Sequence, residues 1–230
     1  MATILITGSN RGIGLEFASQ YLDRGDSVIA TCRNPDQATR LRDLQTADSR
    51  LRVMELDVGS TASMDRFVAE LGATAVDIFI NNAGIYGPRA SRFGEVTEQD
   101  WLAVFQVNTI APLLLTQRLL ENFRLGSDHK LAYITSKMGS IADNQSGGSY
   151  IYRSSKTALN QVVRSLSFDL ASAGLIAAVI HPGWVQTDMG GPSALIDTRT
   201  SVGGMISVID GLDKQASGQF FNYDGKLIPW

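Results

Sequence analysis

The stretch ATILITGSNRGIG, residues 2–14, restricts the fold more than any other part of the chain. An apolar run rich in Ile and Thr leads straight into three glycines, Gly8, Gly12 and Gly14. A helical pattern follows at 12–24, with Leu15, Ala18 and Leu22 on one face and Gly25 as its stop signal. This is a buried strand feeding a helix through a tight turn. Such a unit needs a second parallel strand beside it and cover on both faces.

The rest of the chain supplies both. Strand patterns recur at 27–32, 51–58, 76–84, 130–136, 175–183 and 218–225. Helical patterns lie between them: NPDQATRLRDLQ, then 60–71, 97–124, 150–173 and the weaker TSVGGMISVIDGL. Thr97 and Asp100 form a capping box at the start of the long segment. Strand and helix alternate throughout, without linker, repeat or low-complexity tract. The expected architecture is α/β: one doubly wound domain over residues 1–230, with a mainly parallel seven-stranded sheet and helices on both faces. Hydrophobic residues make up 44% of the chain, enough for a core on each side of such a sheet.

Charge and cysteine usage remove several functions. The net charge is −3, and Lys and Arg are scattered, which argues against nucleic acid. Cys32 is the single cysteine, and the two histidines, His129 and His181, are far apart, so no metal site is expected. The N-terminus lacks the pattern of a signal peptide, and no apolar run approaches the ~18 residues of a membrane helix. The expectation is a soluble, cytoplasmic protein with no membrane partner.

The turn itself points to a dinucleotide. Glycines at a strand-to-helix junction let backbone approach a pyrophosphate, and the helix N-terminus offers amide donors and a positive dipole. The spacing is G-x-x-x-G-x-G rather than the common G-x-G-x-x-G. NAD-binding sites usually place an acidic residue about 20 positions on, against the ribose 2′-hydroxyl. Here the second strand ends in Cys32-Arg33, and Arg11 sits inside the loop. Two guanidinium forks suit a 2′-phosphate, so the expected cofactor is NADP(H).

SYIYRSSK, residues 149–156, holds the candidate chemistry. On a helix only residues three or four apart share a face. Tyr152 is four residues before Lys156, whereas Tyr150 is six before it. An ammonium beside a phenol lowers the phenol pKa, and such a Tyr can protonate a carbonyl oxygen that is receiving hydride.

TGSNRGIG, NNAG at 81–84, Tyr152-x-x-x-Lys156 and HPG at 181–183 stand in the order and spacing of the short-chain dehydrogenase/reductase family. The chain resembles that family over nearly its whole length. ITSKMGSIADN, HPGWVQTDMGG and FFNYDGKLIPW are most similar to the branch holding sniffer-type carbonyl reductases and C-factor signalling proteins. The resemblance implies a Rossmann domain, NADP-dependent reduction of a ketone or aldehyde, and a tetrad of Asn108, Ser136, Tyr152 and Lys156. In that scheme Asn108 holds a water connecting Lys156 to solvent, and Lys156 also binds the nicotinamide ribose.

The serine is the least direct assignment, because the family's usual gap falls near Gly139. Ser136 follows the strand KLAYIT and lies sixteen positions before Tyr152; Ser140 lies twelve before it. Ser136 is assigned, with the extra length attributed to an insertion around 143–148 and Ser140 as the fallback. The resemblance further implies cofactor contacts from Gly8, Asn10, Arg11, Gly12, Ile13, Gly14 and Arg33, and from Asp57 and Val58 at the adenine. It adds Asn82, Ala83 and Gly84 under the adenosine ribose. Pro182, Gly183, Val185 and Thr187 follow near the nicotinamide. His181 is read as structural. Tyr86, Met138, Trp184, Met189 and Tyr150 are candidate pocket walls.

Two other functions remain open from sequence. One is a dinucleotide-binding signalling protein with little turnover, the other a sugar-nucleotide epimerase or dehydratase. Epimerases usually carry an added C-terminal substrate domain that this chain does not display. Family members that assemble pair through helices corresponding to 97–124 and 150–173, while some carbonyl reductases are monomers. The sequence leaves a monomer, a homodimer and a higher homo-oligomer all open.

Overall fold

The computed structural model describes residues 1–88 and 92–230. The strands are β1 (Thr3–Thr7), β2 (Ser27–Cys32), β3 (Leu51–Glu55), β4 (Ile78–Asn81), β5 (Lys130–Ile134), β6 (Ile176–His181) and β7 (Phe220–Asn222). They form one sheet in the order β3-β2-β1-β4-β5-β6-β7, and every neighbouring pair is parallel. The expected single doubly wound Rossmann domain is therefore present. The chain leaves β1 toward β2 and β3, then returns to β4 on the other side. This reversal opens a crevice at the C-terminal ends of β1 and β4.

The helices are α1 (Gly12–Asp23), α2 (Thr39–Ala47), α3 (Thr61–Leu71), α4 (Glu98–Phe105), α5 (Ala111–Arg118), α6 (Leu120–Leu125), α7 (Tyr150–Asp169) and α8 (Thr198–Asp210). Strand alternation divides the core between the two faces. Leu5, Phe79, Leu131 and Val179 pack with Phe67, Leu115, Phe123 and Leu159 from α3 and α5–α7. Ile4, Ile6, Ile80 and Ile180 pack with Phe17, Tyr21, Leu41 and Met205 from α1, α2 and α8. Both layers are fully buried, which fixes the strand register, since a slip of one residue would exchange the faces.

Two sequence expectations need correction. The continuous helix over 97–124 is broken: α4 passes into a π-helical turn at Gln106–Ile110, then α5 and α6 follow. The strands also stop earlier than expected, at Glu55, Asn81, Ile134 and His181. The residues beyond these stops leave the ladder at the crevice. The Thr97 cap is present, its hydroxyl accepting the Asp100 amide at 3.2 Å. Among the described residues, no helix is long and apolar enough to cross a membrane.

Candidate active site

The crevice is a cleft of about 910 Å³ running along the C-terminal strand ends. Its floor is the glycine turn after β1. Gly8 has φ +69, and a Cβ on Gly14 would lie 2.3 Å from the Gly8 carbonyl oxygen. No side chain caps the N-terminus of α1 and no acidic residue occupies its first turn, so its amides face the cleft without a competing anion.

NNAG holds this floor in place. The Thr7 hydroxyl accepts the backbone amides of Asn82 and Ala83, both at 3.0 Å. The Asn82 side-chain amide donates to the carbonyls of Thr7 at 2.9 Å and Gly8 at 3.1 Å. Asn82 thus binds β4 to the glycine turn through polar groups that would otherwise be unpaired. At the β3 end, the Asp57 carboxylate accepts the Gly59 amide at 2.9 Å, closing the turn that presents Leu56, Asp57 and Val58 to the cleft. Arg33 and Arg40 line the same end, beyond Cys32.

At the opposite end lie Tyr152 and Lys156 of α7. Tyr152, Lys156, Ser136 and Asn108 are all buried. Burial pushes the Tyr152 phenol up to about 12, partly offset by its hydrogen bond with Ser136. Burial pulls Lys156 down to about 8. The Lys156 ammonium donates to the Ile134 carbonyl at 3.0 Å and sits 5.9 Å from the centre of the Tyr152 ring. The net shift of the phenol is therefore upward, where the sequence pointed to a lowering beside Lys156. Desolvation outweighs the charge, and the ammonium is directed at a carbonyl rather than at the phenol oxygen. A phenol held this high is fully protonated at neutral pH, which is the form a proton donor needs.

The serine geometry separates the two alternatives. Ser136 caps the short 3₁₀ turn at Lys137–Gly139, its hydroxyl accepting the Met138 amide at 3.2 Å, and it also reaches Tyr152. Ser140 points elsewhere, donating to the Pro229 carbonyl at 2.6 Å. Gly139 lies against α7, where a Cβ would come within 2.9 Å of the Lys156 carbonyl carbon. Its carbonyl accepts from Thr157 at 2.9 Å and Asn160 at 3.2 Å. The turn carrying Ser136 is therefore docked onto the helix carrying Tyr152.

Asn108 lies in the π turn, one of the places where an α-helix departs from regular bonding near functional groups. Its side chain accepts the Ile85 amide at 2.9 Å and donates to the Ile85 carbonyl at 2.8 Å and the Ser155 hydroxyl at 3.0 Å. Both of its N–H donors are used, so it clamps the loop after β4 to α7.

Residues 2–195 match the family model described as short chain dehydrogenase. The chain belongs to the short-chain dehydrogenase family. This dehydrogenase superposes on the carbonyl reductase Sniffer of D. melanogaster with a TM-score of 0.95 and 36% identity over 100% of both chains. It superposes on the NADPH-bound carbonyl reductase from chicken fatty liver with a TM-score of 0.94 and 36% identity, covering 100% of this chain and 99% of that one. Among curated proteins, C-signal of Myxococcus xanthus is 46% identical over 167 residues, 73% of this chain and 100% of the relative.

Most sequence-predicted residues of this dehydrogenase line the cleft: Gly8, Asn10, Arg11, Gly12, Ile13, Arg33, Asp57, Val58, Asn82, Ala83, Gly84, Tyr152, Lys156, Pro182 and Thr187. Gly14, Asn108, Ser136, Gly183 and Val185 do not, Asn108 and Ser136 lying just behind the lining. Gly14 is occupied by its contact with Gly8, a Cβ on Gly183 would meet Ile196 at 2.7 Å, and Val185 is buried in a bridge to Ile196. Arg11 forms an ion pair with Asp188 across the cleft mouth, so its guanidinium is shared rather than held for a phosphate. Of the candidate pocket walls, Met189 lines the cleft and Tyr86 stacks on Tyr152. Trp184, Tyr150 and Met138 lie outside its lining, the first two being exposed. His181 is pulled down to about 4 by burial and nearby Lys137, leaving it neutral at physiological pH. Sequence reading missed Arg40 and Gln186. Arg40 lies on α2, seven residues after Arg33, and only the fold brings the two to one end of the cleft.

Proposed function

We propose that this short-chain dehydrogenase is an NADPH-dependent carbonyl reductase acting on a ketone or aldehyde. The observation that carries the reading is Tyr152, buried beside Ser136 at one end of a cleft whose other end presents Arg33 and Arg40. The residues fit the cofactor. Gly14 packs against Gly8, and Gly8 against Ala83, too closely for a Cβ, which keeps the turn tight at the start of α1, and the arginines suit a 2′-phosphate. NADPH, when bound, supplies hydride to the carbonyl carbon.

The chain's own groups do the rest. Ser136 donates a hydrogen bond to the substrate carbonyl oxygen and polarises it. Tyr152 delivers its phenolic proton to that oxygen. An alkoxide is more basic than a phenolate, so the transfer runs downhill even from a phenol at about 12. Lys156, largely charged at neutral pH with its pKa near 8, stabilises the phenolate that forms and would hold the nicotinamide ribose. Asn108 holds the loop beside Lys156. The exposed Trp184 and Met189 make an open apolar rim, which supports a broad range of carbonyl substrates.

A second reading, a dinucleotide-binding signalling protein with little turnover, is favoured by the 46% identity to C-signal. NADPH oxidation followed at 340 nm against a panel of aldehydes, ketones and quinones separates the two. The reductase reading expects turnover with several members. Tight NADPH binding with no turnover on any of them supports the signalling reading.

The serine assignment has its own test. Ser136→Ala lowers kcat about 10²-fold, the scale of one lost oxyanion donor. Ser140→Ala keeps kcat within a few-fold and lowers thermal stability, since its hydroxyl serves the Pro229 carbonyl and the Asp143 amide. Reversed kinetics would move the role to Ser140.

A further inference from the structure

The loop after β4 carries Tyr86, whose ring lies flat against that of Tyr152, with centroids 4.5 Å apart and planes at 27°. Its hydroxyl is hydrogen-bonded to the Ser149 hydroxyl at 3.0 Å. Ser149 is the residue immediately before α7, and it stands in the left-handed region at φ +46 after Gly147 and Gly148, which also have positive φ. A non-glycine side chain in that region is strained and persists only where its surroundings hold it.

Tyr86 is fixed from both sides. Ile85 is clamped at its amide and its carbonyl by Asn108. Gly87 presses onto α4 and α7, where a Cβ would lie 2.7 Å from Val104 and 3.8 Å from Ile151. The ring between them has little freedom to leave the face of Tyr152.

We propose that Tyr86 is a positioning residue for the proton donor. Its ring covers one face of Tyr152, and its hydroxyl, held by strained Ser149, locks that cover to the first turn of the helix carrying Tyr152. The cover keeps water from the phenol and holds the phenol toward Ser136. Among the described residues, Tyr152 is faced by Ser136 from the turn after β5, Tyr86 from the loop after β4, and Lys156 from its own helix. Tyr86 is the one that shields rather than donates or carries charge. The proposal rests on the reading of Tyr152 as proton donor, and it also assigns the Asn108 clamp a purpose, since Asn108 fixes the loop on which the cover rides.

The test uses the whole chain with tyrosine labelled at ¹³Cζ. Tyr152 is titrated by NMR without cofactor, NADPH affinity is measured by fluorescence, and kcat is taken on the best substrate of the panel. In Tyr86→Leu the Tyr152 pKa falls from about 12 toward the ordinary phenol value of about 10. Loss of the held geometry lowers kcat about 10- to 100-fold while NADPH Kd stays within about 2-fold. Tyr86→Phe keeps the ring and therefore the raised pKa, but loses the bond to Ser149 and with it a few-fold in kcat. Ser149→Ala matches Tyr86→Phe, and the double variant is no worse than either, because both remove the same hydrogen bond. An unchanged Tyr152 titration in Tyr86→Leu overturns the proposal, as does an equal loss of NADPH affinity and kcat. Should Tyr86→Leu not fold, the Tyr86→Phe and Ser149→Ala pair decides, and additive losses in the double variant overturn it. The titration needs no turnover, so it still reads out if the reductase reading itself fails.

Discussion

Tyr152→Phe lowers carbonyl reduction by about 10³- to 10⁴-fold, the upper range for loss of a general acid, and leaves NADPH affinity nearly unchanged. The substitution deletes one oxygen and keeps the ring, so the stack with Tyr86 and the packing of α7 survive. Water is a poor replacement because the site is buried. The reaction then lacks a donor at the moment negative charge appears on the carbonyl oxygen. Single-turnover NADPH oxidation measures the chemical step, and a fluorescence titration measures binding. Residual turnover above about a tenth of wild type would remove Tyr152 from the donor role. The pH dependence adds a sign. Reduction needs Tyr152 protonated and Lys156 charged. The phenol, at about 12, stays protonated across the working range. Lys156 loses its proton as pH rises through about 8, so wild-type reduction is fully present below that pH and declines above it.

That result would vindicate a residue visible from sequence spacing, although its electrostatics were not visible. The four-residue offset of Tyr152 and Lys156 fixes their shared helix face. It does not reveal that both side chains are buried, and burial decides the pKa of each. The sheet was legible for a related reason. Apolar β-branched runs alternating with helical spacing leave few topologies, and the observed order β3-β2-β1-β4-β5-β6-β7 is one of them. Strand ends were not legible. In LRVMELDV the ladder stops at Glu55 because, after the Leu56 amide bonds the Cys32 carbonyl, the chain turns into the cleft. The break around Asn108 carried one signal, Pro112, which has no amide proton and crowds the carbonyl four residues back. What local periodicity could not show is the bond that the Asn108 side chain accepts from the Ile85 amide, 23 positions away. Ser136 could be preferred over Ser140 from the strand ending before it. What the sequence could not show is that the Pro229 carbonyl, 89 positions from Ser140, takes that hydroxyl.

The second large effect belongs to the glycine turn. Gly14→Ala abolishes measurable NADPH binding at micromolar cofactor and lowers the melting temperature, and it does so without placing any atom in the cleft. An added Cβ would lie 2.3 Å from the Gly8 carbonyl oxygen, 3.0 Å from its carbon and 2.6 Å from the Asn82 side-chain nitrogen. The first two are backbone, so a side-chain rotation cannot relieve them. Either α1 moves away from β1 or the turn lifts from its floor. Both routes break the Asn82 bonds to Thr7 and Gly8 that hold β4 against the turn. Overpacking of this kind costs about 1–3 kcal/mol, before the lost hydrogen bonds are added. Gly12→Ala is the control. Its added Cβ meets only Thr187, at 3.4 Å, and its penalty is that of a left-handed alanine at φ +55, about 1–2 kcal/mol. Calorimetry and NADPH titration of the two variants rank them. Gly14→Ala is expected to lose at least 100-fold in affinity, since the helix N-terminus that receives the pyrophosphate is displaced as a whole. Gly12→Ala loses less, because the α1 axis stays where it is. Equal losses in both would mean that backbone conformation, rather than the contact between Gly8 and Gly14, sets the geometry of the cradle.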